Sequence, residues 1–199
     1  MHLNASYRKG REKVYNCIAR SLRVDVRNVP IFYVSLNRFY HIIKANLKKK
    51  HLNNPYLIEK LTLSYLKIVP GLWKRDEQRV YIKETFSHDF CLLLSELLHS
   101  KSIIQQDNYA KEWIKEGLPH YIAKLLCEMC GIRYIKSEHS KYFQFWERIY
   151  RKTGLNFLRN ILFAQRIEIA KALLKSFLGY EREDIFELSF EDARDLLSN

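Results

Sequence analysis

Apolar residues at Val14, Cys17, Ile18 and Leu22 recur at helical spacing and predict a helix from Tyr7 to about Leu22. Asn28-Val29-Pro30 interrupts that pattern, because the residue before a proline is pushed out of the α region. Ile31-Phe32-Tyr33-Val34 is a β-branched and aromatic run that reads as a short strand. A helix over about 37–50 follows, with Phe39, Ile42, Ile43 and Leu47 as its apolar stripe. Asn53-Asn54-Pro55 opens another that reaches about Ile68 and is ended by Pro70-Gly71. Leu72-Trp73-Lys74-Arg75 and Arg79-Val80-Tyr81-Ile82-Lys83 flank a polar turn and predict a hairpin. Val80 and Ile82 alternate with Tyr81 and Lys83, the pattern of a half-buried edge strand.

The second half reads as helical. Ser87 or Asp89 caps a helix through about Ser100, and the polar loop Gln105-Gln106-Asp107-Asn108 separates it from a helix over 109–130. Gly131 stands where a left-handed C-terminal cap is wanted. Helices over about 138–152, 155–177 and 189–197 complete the chain. The order, with a small sheet of about three strands leading into helices, defines an α+β fold. A single domain is expected over residues 1–199. It divides into a basic N-terminal part (1–70), a hairpin with two helices (71–131) and a C-terminal helical part (132–199).

Charge changes the picture in one respect. The net charge is +12, and residues 1–83 hold 18 Lys and Arg against 5 Asp and Glu, whereas residues 84–199 hold 16 against 17. The basicity therefore belongs to the N-terminal half, where Lys48, Lys49 and Lys50 form a run suited to nucleic acid or an acidic partner. Charges interrupt every twenty-residue window, so no transmembrane span is expected. The basic N-terminus lacks an apolar stretch behind it, and a cytoplasmic, intracellular location is expected. Cys17, Cys91, Cys127 and Cys130 are too few for a disulfide scaffold and read as buried thiols, including the C-x-x-C of Cys127 and Cys130.

Two helices carry chemistry. Ser95-Glu96-Leu97-Leu98-His99 is an H-E-x-x-H segment with serine in place of the first histidine. Further on, with sixteen residues between His99 and Glu116, stands Trp113-Ile114-Lys115-Glu116-Gly117, with Tyr121 beyond it. Together these segments, over about residues 72–130, resemble the active-site helices of the gluzincins, the zinc metallopeptidases that include thermolysin and the aminopeptidase-N-like enzymes. The resemblance implies a zincin-like fold and assigns Glu96 as general base, His99 and Glu116 as zinc ligands, and Trp113 and Tyr121 as cleft-lining residues. It also implies that strand 79–83 is the edge strand pairing with an extended peptide.

Ser95 is the departure, a degenerate ligand position, since a hydroxyl is a poor zinc ligand. His120 lies one helical turn beyond Glu116 on the same face and is the residue placed to compensate. The plainer reading of His120 is a cleft-lining histidine held by a hydrogen bond, and that of Glu96 and His99 is a local pair on an ordinary helix. His88, two turns before Ser95, reads as a helix-start surface residue. The aromatic positions of 142–150 read as core. Three functions follow as expectations. The first is a catalytically impaired metallopeptidase homologue, a pseudoenzyme whose cleft binds a peptide or protein. The second is an active zinc peptidase with a rearranged ligand set of His99, Glu116 and His120. The third is a nucleic-acid-associated protein using the basic half. On the first of these, Ser95→His is expected to supply a missing ligand.

Overall fold

The computed structural model describes residues 5–49, 54–135, 138–181 and 184–197. Its elements are α1 (Ala5–Leu22), β1 (Ile31–Val34), α2 (Leu36–Lys49), α3 (Pro55–Ile68), β2 (Gly71–Lys74), β3 (Arg79–Lys83), α4 (Phe90–Lys101), α5 (Glu112–Lys115), α6 (Gly117–Met129), α7 (Phe143–Thr153), α8 (Leu155–Leu162), α9 (Ile167–Leu178) and α10 (Phe190–Leu196). Short 3-10 turns at Glu84–Phe86, Ile103–Gln106 and Glu138–Tyr142 link them. The architecture is the α+β arrangement expected, with one small mixed sheet. Among the described residues no helix is long and apolar enough to cross a membrane.

The sheet order is β1-β3-β2, with β1 parallel and β2 antiparallel to β3. The strand expected at the edge is thus the central one. Its burial shows why: Val80 and Ile82 enter the main core, while Tyr81 on the opposite face joins a smaller cluster with Phe39, Ile43 and Ile58 from α2 and α3. Strand β3 has a core on both sides and neighbours on both edges. The free edges belong to β1 and β2.

Local chemistry explains most boundaries. Asn54 accepts from the Leu57 N–H and Pro55 occupies the first turn of α3. Asp89 caps α4 through the Leu92 N–H at 2.9 Å. Gly131, at φ +60°, closes α6 with the Ile132 N–H on the Cys127 carbonyl (2.8 Å), the double-bonded Schellman ending.

Two helices are shorter than their apolar periodicity suggests. The helix expected over 109–130 is divided at Glu116, because Pro119 has no N–H to give to the Lys115 carbonyl four residues back. Its first residues are held instead by Asp107, whose Oδ1 accepts from the N–H groups of Tyr109 and Ala110. The helix expected over 155–177 is two, α8 and α9, separated by a turn that contains neither Gly nor Pro.

The central element is α4, in which every residue from Cys91 to His99 is buried. A helix buried all round has no solvated face on which to place polar residues. Ser95, Glu96 and His99 are therefore polar groups placed in the interior, and they require partners.

The cysteines differ from expectation. Cys17 on α1 and Cys130 at the end of α6 form a disulfide, while Cys91 and Cys127 are buried thiols. Disulfides persist chiefly in oxidising compartments.

Candidate metal centre

Three ligand-type side chains converge from α4, from the junction of α5 and α6, and from α6 itself. His99, Glu116 and His120 each offer one donor atom, and these atoms lie within 4.8 Å of one another. The group can hold a metal ion. His99 Nε2 stands 3.4 Å and His120 Nε2 4.0 Å from the same oxygen, Glu116 Oε2. Donors bound at about 2.0–2.1 Å around a tetrahedral ion lie roughly 3.4 Å apart. The His99–Glu116 spacing already has that value, and the His120–Glu116 spacing is somewhat longer.

A layer of partners aims both imidazoles. Ser95 Oγ lies 3.1 Å from His120 Nδ1, so the ring presents Nε2 to Glu116. A hydroxyl donates or accepts with equal ease and suits either tautomer of that ring. On His99, Nδ1 is met at 2.8 Å by the Gln105 amide, which also donates to the Lys115 carbonyl at 2.9 Å. That carbonyl is the one Pro119 leaves without its helical partner. The break between α5 and α6 therefore also ties His99 to the chain beside Glu116. Outer-shell partners of this kind fix ring orientation in metal sites.

The electrostatics disfavour protonation of both imidazoles. Burial pulls the His99 pKa below its ordinary value, as does His139, against the raising effect of Glu116. Burial, reinforced by the neighbouring His99 and His139, pulls His120 well below the usual range. Both rings are neutral at pH 7, with a lone pair available. Glu96, beside them on α4, is pushed up to about 8 by burial and then by the Glu116 charge, with the Trp73 backbone N–H opposing.

His139 also belongs to this neighbourhood. Its ring centroid is 4.6 Å from that of His120, and its Nδ1 lies 3.2 Å from Glu112 Oε1. Neither His139 nor Gln105 was distinguishable in the sequence from an isolated histidine and a loop glutamine. The one available signal was Pro119, which predicts an orphaned carbonyl needing a donor.

Other expected site residues lie elsewhere. Trp113 and Tyr121, expected to line the cleft, are both fully buried core residues. Trp113 stacks on Trp146 and donates from Nε1 to the Leu188 carbonyl, and Tyr121 donates to Glu147 Oε2. The glycine after Glu116 serves this packing, since a Cβ on Gly117 would meet Trp146 Nε1 and Tyr142 Cβ at 3.0 Å. His88 precedes α4 and packs edge-on against Tyr7 and Phe90. Lys48 is exposed at the end of α2, Lys49 pairs with Asp76, and Lys50 lies outside the described residues.

The ligand group opens into a cavity of about 830 Å³ that also receives Glu96, Gly71, Gln105, Glu112 and His139. Compared with known proteins, the chain matches no family model, no curated protein and no solved structure. What the site can do follows from its own donors.

Proposed function

We propose that the protein is a metal-dependent hydrolase. More particularly, we propose a zinc peptidase in which His120 replaces the histidine that Ser95 displaced from the H-E-x-x-H pattern. The observation that carries this reading is the Ser95 hydroxyl on His120 Nδ1 with His120 Nε2 turned to Glu116. Two neutral imidazoles and a carboxylate form a donor set suited to zinc, and the resemblance of the two helices to those of gluzincins supports the same ion. His99, Glu116 and His120 would hold the ion, which would supply Lewis-acid polarisation of a substrate carbonyl.

The residues divide the remaining work. Glu96 takes the proton from the water whose oxygen attacks the carbonyl carbon. It returns that proton to the amide nitrogen as the carbon–nitrogen bond breaks, leaving a carboxylic acid and an amine. A carboxyl at about 8 is easily ionised by a nearby cation and is a proton carrier near neutrality. Glu112 lies against the His139 ring, which packs on His120 at the cavity wall. Glu96→Gln is expected to leave stoichiometric zinc in place and to lower turnover of a casein or quenched-peptide substrate by about 10²–10⁴-fold. Zinc without turnover in the unaltered protein would instead favour the binding-only homologue. The nucleic-acid reading rests on charge distribution alone, and a salt-dependent mobility shift tests it.

Gly71 on β2 gives a finer test of Glu96. A Cβ there would stand 3.1 Å from Glu96 Oε1 and 3.2 Å from its Cγ, so the carboxylate must yield by a few tenths of an ångström. Gly71→Ala is expected to preserve zinc content and thermal stability while lowering kcat. An unchanged kcat would mean that Glu96 placement is not critical.

A further inference from the structure

Of the 14 residues of α3, only Ile58 and Thr62 are buried. Ile58 enters the small cluster around Tyr81, which also takes Phe39, Ile43 and Leu47 from the neighbouring α2. Each helix thus sets one face on that cluster and leaves the other in solvent. The outward face of α3 is not the polar surface that a solvated helix presents. Tyr56, Lys60, Leu63 and Lys67 follow at i, i+4, i+7 and i+11 and form one exposed stripe. Leu57 and Ile68 flank it and are exposed as well. Tyr56 is 76%, Ile68 57% and Leu63 47% exposed, so apolar area remains in water along the whole helix. Apolar side chains gathered in one patch mark a surface that a partner covers.

Charge distinguishes among the partners. Helix α2 has no acidic residue and α3 has one, Glu59. Glu59 is already held by Lys44 at 2.6 Å and by the Tyr40 hydroxyl at 2.7 Å. Lys60 and Lys67 on the stripe, with Arg38 and Lys48 exposed on α2, have no carboxylate partner among the described residues. Apolar groups interleaved with unpaired cations match an anionic lipid surface. The acyl boundary takes the tyrosine and aliphatic side chains, while each lysine lays its stem along it and raises its ammonium to the phosphates. A second copy of the chain matches less well, because a twofold contact sets this face on itself and brings lysine to lysine. Nucleic acid offers phosphates to the cations but leaves Leu63 and Ile68 uncovered.

We propose that the outward face of α3, with the cations of α2 beside it, docks the protein onto the surface of an anionic phospholipid bilayer. No described helix is long and apolar enough to cross a membrane, so this contact lies on the bilayer and does not span it. Both terms are needed: the cations bring the face to the headgroups, and the apolar side chains hold it there. The contact uses none of the residues of the metal group and stands or falls independently of the hydrolase reading.

Flotation of the full chain with vesicles tests this. Vesicles of phosphatidylcholine alone are compared with vesicles in which about one third of the lipid is phosphatidylglycerol. The anionic vesicles are expected to bind at least about 25-fold more tightly, the effect of two cations at about fivefold each. Lys60→Gln with Lys67→Gln is expected to remove about that factor. Tyr56→Ser with Leu63→Ser is expected to weaken binding to anionic vesicles by at least about tenfold, since covering a leucine side chain contributes roughly that much. All four side chains are exposed, so the variants should melt as the unaltered protein does, and the comparison of the two vesicle types stands without them. Absent binding, or equal binding to both vesicle types, overturns the proposal. So does anionic binding that survives Tyr56→Ser with Leu63→Ser undiminished, because charge alone then makes the contact. A DNA duplex retarded through Lys60 and Lys67 without vesicle binding gives the face to nucleic acid. A dimer lost with Leu63→Ser, again without vesicle binding, gives it to a second copy, and either result overturns the bilayer assignment.

Discussion

His120→Ala and Glu116→Ala are each expected to strip the protein of zinc when it is purified without chelator and analysed by elemental spectrometry. Each removes one of three donors that lie within 4.8 Å of one another. The loss should exceed by far the roughly 10–100-fold weakening that follows removal of an outer-shell partner. Ser95→Ala and Gln105→Ala are expected to fall in that smaller range, because they touch only the Nδ1 atoms of His120 and His99. The contrast between His120→Ala and Ser95→Ala is the informative part. A relic of an H-E-x-x-H site would lose nothing with His120, and zinc retained at full stoichiometry in His120→Ala would sink the rearranged centre. Acidity should act in the same direction. Both imidazoles have pKa values below the ordinary 6.5 in the folded protein. The unfolded chain therefore binds more protons than the folded one as pH falls below about 6.5. The metal-stripped protein should lose stability there, and zinc should be released over the acid range.

The ingredients of this site were legible in the sequence to different degrees. Glu96, His99, Glu116 and His120 can be found from spacing, because residues four apart on a helix share a face. The sheet could be foreseen from β-branched runs and turn residues, but not its order. Deciding that β3 is central requires knowing that Tyr81 on one face and Val80 on the other both meet cores, and that information is tertiary. The helix broken at Glu116 was within reach, since Pro119 removes one specific hydrogen bond. The turn between α8 and α9 had no comparable signal. Gln105 and His139 come from irregular segments, where no periodicity relates a side chain to a face. Trp113 misleads for a different reason: a tryptophan near a ligand glutamate marks the site in sequence, but here its ring supports the helix from behind, against Trp146.

The strongest test of what Ser95 means is an exchange of two side chains. From sequence, Ser95→His looks like a repair that completes H-E-x-x-H. In the fold, Ser95 is 2% exposed and its hydroxyl lies 3.1 Å from His120 Nδ1, so the space for a second imidazole is already taken by the ring from α6. Ser95→His alone is expected to crowd His120. Such overpacking costs about 1–3 kcal/mol of stability, and zinc affinity should fall because His120 also loses the hydroxyl that aims it. Ser95→His combined with His120→Ser moves the imidazole from one helix to the other and returns a hydroxyl to its former place. The double variant is expected to regain both folding stability and most of the zinc affinity lost by either single change. Residues that share one space and one hydrogen bond are strongly non-additive, so the coupling energy of this cycle should be large and favourable. The opposite result is equally definite. If Ser95→His by itself binds zinc more tightly than the unaltered protein, and His120→Ser then changes nothing, the position was an empty ligand site and His120 was never part of it.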